Sequence, residues 1–149
     1  MEFKIAIVSV KRVISLLLII LNMYAIKMIK DNTILYFVGV ILKETTVTFP
    51  ANKEEILETI ENTLEAGTRL ACFGHIPSNY PVVMPVEEIV KLCHNKGVPV
   101  LIDGAHALGS LPLNLTGLEA DYYVANAHKW LACPKVLCNV VFCILPVFM

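Results

Sequence analysis

The feature that most constrains the fold of this chain is an alternation running from residue 45 to residue 135. Short apolar strand-like runs and amphipathic helical stretches follow one another there, punctuated by glycine and proline. Residues 45–49, TTVTF, are β-branched or aromatic and end at Pro50, as a strand does. Asn52 then offers a helix cap, with Glu54 and Glu55 in the first turn where the helix dipole favours anions. Ile56, Ile60 and Leu64 recur on one helical face, and Gly67 closes the stretch. Residues 68–73 read as a strand buried on both faces, and the loop at 74–84 carries His75, Ser78 and Asn79. Pro85 opens a second helix at the position where its missing N–H costs nothing, Ile89, Leu92 and Cys93 form the inner face, and Gly97 stops it. Residues 98–102 are the next buried strand. Strand, helix, strand, helix, strand predicts right-handed crossovers, and hence an α/β fold with a mostly parallel sheet and flanking helices.

Chemistry gathers at the end of that alternation. Asp103 ends one strand, His106 sits in the small-residue turn behind it, and a further strand at 121–125 leads to His128 and Lys129. Side chains at the carboxyl ends of parallel strands converge on one crevice, so Asp, His and Lys delivered there form a candidate site. His94 stands apart from it: in the last turn of a helix a cation suits the dipole, which makes its expected role structural.

Composition matters at the two ends. The chain is 56% hydrophobic and 17% charged, so part of its apolar content is expected outside an ordinary core. Residues 1–42 form an apolar N-terminal segment expected to lie outside the domain, and 136–149 an apolar tail of similar character. The run at 13–26, flanked by basic residues and interrupted by Ser15 and Asn22, falls short of the ~20 apolar residues a spanning helix needs. A membrane anchor through that run is therefore the less favoured alternative to a cytoplasmic protein. A net charge of -1 without a basic face argues against a nucleic-acid partner. Five cysteines without a C-x-x-C pair fit reduced, structural thiols.

The residues carry a resemblance. DGAHALG at 103–109, LEADYYVANAHKW at 118–130 and CPK at 133–135 resemble the cofactor region of class V aminotransferases, the pyridoxal-phosphate enzymes of fold type I. The likeness is nearest to the branch holding isopenicillin N epimerase-like proteins and ergothioneine-pathway C–S lyases. It extends back through GHIPSN at 74–79 and PVEEIVKLCHNKGVPVLID at 85–103 to about residue 45. It implies that residues 45–135 are part of the large domain of such a transferase fold. The chain then looks like an internal fragment, since the upstream phosphate loop and the C-terminal substrate domain of that family have no counterpart here.

The resemblance also implies roles. Pyridoxal 5'-phosphate would be held as an imine on Lys129, with Asp103 as the carboxylate that keeps the pyridine nitrogen protonated. His75 is implied over the ring face and His106 as a donor to the ring. His128 and Asn126 are implied at the phosphate or in positioning the lysine, and Ser78 near the polar edge. The implied reaction acts on an amino acid or a sulfur-containing derivative, as transamination, epimerisation or C–S elimination. The implied partners are a small-molecule amino-acid substrate and, for the complete enzyme, a second copy in a homodimer. Two other readings compete: a non-catalytic remnant, with a membrane tether through 13–26 as one form of it, and a zinc site built from His75, Asp103, His106 and His128. The last ranks lowest, because the histidines lack ligand-like spacing and Lys129 would stand beside a cation.

Overall fold

The structure is a computed structural model that describes residues 2–10, 40–134 and 139–143, with side chains described for 43–134. Its elements run β1 (Glu2–Val10), β2 (Val40–Thr48), α1 (Lys53–Thr63), β3 (Leu70–Gly74), α2 (Val86–Asn95), β4 (Val100–Asp103), α3 (Leu115–Leu118), β5 (Tyr122–Asn126), α4 (Ala127–Trp130) and β6 (Asn139–Cys143). They build one sheet in the order β2-β1-β3-β4-β5-β6.

The parallel part is the centre of that sheet: β3 pairs with β4 and β4 with β5, all pointing the same way. The outer strands are antiparallel, β1 to both β2 and β3, and β6 to β5. The α/β fold with a parallel sheet and flanking helices is thus present, with antiparallel strands added at its margins. β2 is longer than the strand expected at 45–49 and begins at Val40.

Strand alternation explains the layering. Ala71 and Phe73, Val100 and Ile102, and Tyr123 and Ala125 project to one face, where they join Ile56 and Ile60 of α1 and Ile89 and Cys93 of α2 in a single core. Leu70, Cys72, Leu101 and Val124 project to the other face and are buried as well. Burial on both faces is why these strands read as continuous apolar runs rather than alternating ones. Each fully buried Ile or Leu contributes roughly 1.5–3 kcal/mol.

The helix ends follow local rules. Asn52 Oδ1 accepts from the Glu55 N–H at 2.8 Å while the Asn52 N–H donates to the Glu55 carboxylate at 3.0 Å, a reciprocal cap. Gly67 does not terminate α1: the helix ends at Thr63, Leu64 turns extended and buries its side chain, and Gly67 serves a later turn at φ +91°. Pro85 stands at the N-cap of α2 rather than at its first helical position. The C-terminus of α2 has the double closure in which Gly97 N–H donates to His94 O at 2.9 Å and Val98 N–H to Cys93 O at 2.9 Å. Gly97, at φ +69°, supplies the left-handed residue that this closure requires. His94 lies in that last turn and also pairs with Asp121, whose Oδ2 lies 2.9 Å from its Nε2. The same Oδ2 accepts from the Val100 N–H at 2.7 Å, so Asp121 ties the end of α2 to the start of β4.

Among the described residues no helix is long and apolar enough to cross a membrane. The run at 13–26 and Lys135, the last residue of the CPK motif, lie outside the described residues. Of the two apolar ends, Glu2–Val10 and Asn139–Cys143 are described, and their backbones pair within the sheet.

Candidate functional site

The register of the parallel strands sets the site. Gly74 lies beside Asp103, and Asp103 beside Val124, so β3, β4 and β5 finish on the same edge of the sheet. The chain leaves that edge through hydrogen bonds that lock the three exits together. The His75 N–H donates to Asp103 O at 2.9 Å, and the Gly104 N–H to Val124 O at 2.7 Å.

Asp103 Oδ1 accepts from the Ala105 N–H at 2.9 Å, a local turn bond that orients the carboxylate and leaves Oδ2 without a donor among the described residues. Behind it the backbone winds through a tight turn in which the N–H groups of Ala107 and Leu108 both donate to Gly104 O. Gly109 closes the turn at φ +85°, and a Cβ there would stand 2.9 Å from the Trp130 Cβ. Its missing side chain lets the turn lie against α4. The consequence is a contact between the two motifs: Lys129 Nζ lies 3.0 Å from His106 Nε2. The His106 imidazole is held below its ordinary pKa by burial first and by the Lys129 charge second, against an opposing pull from Asp103. A neutral imidazole accepts at Nε2, so Lys129 donates.

A second pair lies deeper. His75 is nearly buried, at 9% exposure, and its Nδ1 lies 3.0 Å from the hydroxyl of Tyr123, which is fully buried in β5. The two rings meet edge to face with centroids 6.0 Å apart. Burial lowers the His75 pKa, partly offset by Glu87. Burial pushes the Tyr123 phenol up to about 12, with the Asp103 charge adding to it, and the same two causes push the Cys72 thiol up to about 12.

The structure brings together Asp103, His106 and Lys129, and sets His75 at the end of the adjacent strand. His128 lies on α4, half-buried, and its Nδ1 is buried without a hydrogen-bond partner. Asn126 occupies the N-cap position of α4, yet its side chain makes no capping bond. Ser78 is exposed, and its hydroxyl lies 3.4 Å from Asn79 Oδ1. Among the described residues no three His, Cys, Asp or Glu side chains gather as a metal site would require. Sequence reasoning missed Tyr123, Gly104 and Gly109. Nothing in the sequence around Gly109 announces that Trp130 lies against it.

The site is a three-stranded parallel edge of an α/β sheet with Asp, His and Lys at its carboxyl ends, and comparison with known proteins gives the family of the chain. Residues 36–136 match the family described as aminotransferase class-V, and the chain belongs to that family. This is a family of pyridoxal-phosphate enzymes. An L-cysteine desulfhydrase of Arabidopsis thaliana is 44% identical over 99 residues, covering 61% of this chain and 22% of that protein. The hercynylcysteine sulfoxide lyase of Schizosaccharomyces pombe is 36% identical over 92 residues, covering 61% of this chain and 23% of that protein. Among solved structures, a cystine C–S lyase bound to its product cysteine persulfide superposes with a TM-score of 0.52 at 36% identity, over 58% of this chain and 23% of the lyase. The chain thus spans about a fifth of the length of the relatives it matches.

Proposed function

We propose that this chain carries the cofactor-holding part of a pyridoxal-phosphate enzyme that acts on cysteine or another sulfur-containing amino-acid derivative. The observation that carries the reading is the Lys129–His106 contact beside Asp103 on the shared edge of β3, β4 and β5. The residues fit the cofactor. Lys129 supplies an exposed amine, Asp103 a carboxylate oxygen without a donor among the described residues, and His128 an orphaned ring nitrogen. Lys129 would hold the cofactor covalently, Asp103 would face the pyridine nitrogen, and His128 with Asn126 would meet the phosphate. When bound, pyridoxal phosphate draws electrons from the substrate's α-carbon.

The chain's own residues divide the remaining work. Asp103, charged, favours a protonated nitrogen opposite it. His106 Nε2 accepts a hydrogen bond from Lys129 Nζ and so orients the amine at the edge. His75, at the exit of β3, is the second imidazole at the edge and offers a neutral ring to the cofactor face. Ser78 would serve the polar rim. The sulfur chemistry is supported by the desulfhydrase and lyase relatives, whose names point to C–S elimination. A cytoplasmic location and a homodimeric complete enzyme belong to the same reading.

Incubating the 149-residue chain with pyridoxal phosphate and L-cysteine tests it, with absorbance and sulfide followed together. Cofactor uptake that is lost in Lys129→Ala supports the reading, and sulfide release extends it to the reaction. Uptake no greater than that of Lys129→Ala contradicts it and favours a non-catalytic piece, a reading that the one-fifth coverage of the relatives supports.

A further inference from the structure

The buried face behind the site holds a side chain that no role above uses. Tyr123 lies in β5, across β4 from the exit of β3, is fully buried, and reaches His75 Nδ1 with its hydroxyl at 3.0 Å. Its ring fills the space beside Gly104: a Cβ on that glycine would fall 2.2 Å from the Cε1, Cζ and Oη atoms. Gly104 follows Asp103 directly, and its N–H is bonded to Val124 O, the residue after Tyr123. Glycine, tyrosine and histidine therefore stack through three adjacent strand ends, and the position of the imidazole depends on the other two.

From this geometry we infer that Tyr123 is a positioning residue that holds His75 in one tautomer, with Nδ1 accepting from the phenol and the proton on Nε2. The inference rests on the proposed site in that it names what His75 offers there: a neutral Nε2–H donor, not a base.

The polarity of the bond follows from what else is near. If Nδ1–H donated to the phenol oxygen, the Tyr123 O–H would be left without an acceptor in a fully buried position, because among the described residues its oxygen meets only His75. A buried hydroxyl without an acceptor loses the hydrogen bond that water would give it in the unfolded chain, and this disfavours that tautomer. The phenol stays protonated, since burial and the Asp103 charge both oppose its ionisation. The imidazole stays neutral, since burial outweighs the pull of Glu87, the charged group that acts on it.

Nitrogen chemical shifts of the histidine rings, measured on the full chain without cofactor, report the tautomer directly. For the wild-type protein at neutral pH the expected result is His75 with Nε2 protonated and Nδ1 bare. In Tyr123→Phe, which keeps the ring against Gly104 and removes only the hydroxyl, the two tautomers should mix. Tyr123→Phe should still be labelled at Lys129 by pyridoxal phosphate and borohydride, which separates this inference from the site itself. A wild-type His75 protonated on Nδ1 overturns the inference. A Tyr123→Phe spectrum identical to wild type also overturns it, because the phenol would then not be what sets the ring.

Discussion

Lys129 Nζ stands 3.0 Å from His106 Nε2, joining the two motifs through side chains 23 residues apart. The contact requires a turn compact enough to present His106 and a glycine, Gly109, that lets the turn approach α4. It makes the state of His106 a readout of both charged neighbours. Lys129 lowers its pKa and Asp103 raises it. Lys129→Ala should therefore move the His106 titration to higher pH, and Asp103→Asn should move it lower. Proton NMR titration of the imidazole checks both. Shifts in the same direction, or none, would contradict the arrangement.

Acid should weaken the fold through the two site histidines. His75 and His106 are both held below the ordinary value of 6.5. As pH falls through that value, the unfolded chain takes up protons that the folded chain refuses, so the unfolded state is favoured. The stabilising contribution is complete above about 6.5 and is lost progressively below it. Denaturant midpoints at pH about 7.5 and about 5.5 should differ, the lower pH giving the lower midpoint, and His75→Gln should narrow the gap. An unchanged or rising midpoint in acid would count against the burial of both rings.

Gly104→Ala should destabilise the chain by about 1–3 kcal/mol or more, since its methyl would enter the space of the Tyr123 ring 2.2 Å away. In a Tyr123→Ala background the same change should cost much less, because the obstacle is gone. Additive costs in a double-mutant cycle would show that the two residues do not compete for space.

Asn52→Ala should cost ~1 kcal/mol of stability, the usual worth of an N-cap, because it removes the acceptor for the Glu55 N–H and half of a reciprocal pair. Urea unfolding measures it. A loss below a few tenths of that would mean that α1 is held by packing of Ile56 and Ile60 alone.

Much of the centre of the fold was legible because it is written in local rules. Asn52 with Glu55, and Gly97 after His94, are short-range devices, and the apolar runs of β3 and β4 carry their burial in their composition. The antiparallel margins were not, because pairing of Ala6 with Cys72 or of Val124 with Val141 joins residues far apart in the chain and leaves no local trace. The site divides the same way. Asp103, His106 and Lys129 announce themselves by residue type at strand ends. Tyr123 reads as one more apolar strand residue until the register sets it beside Gly104, and the bond to His75 exists only in three dimensions. Asp121 was likewise read only as the start of a strand, whereas it joins His94 to Val100.

The central claim is that Lys129 is the residue that takes the cofactor. The direct measurement is to incubate the 149-residue chain with pyridoxal phosphate, reduce with borohydride and map the modified lysines by peptide mass spectrometry. Preferential labelling of Lys129, with no compensating label at that peptide in Lys129→Ala, is the result the account predicts. Label spread evenly over the lysines, with no preference for Lys129, would contradict it.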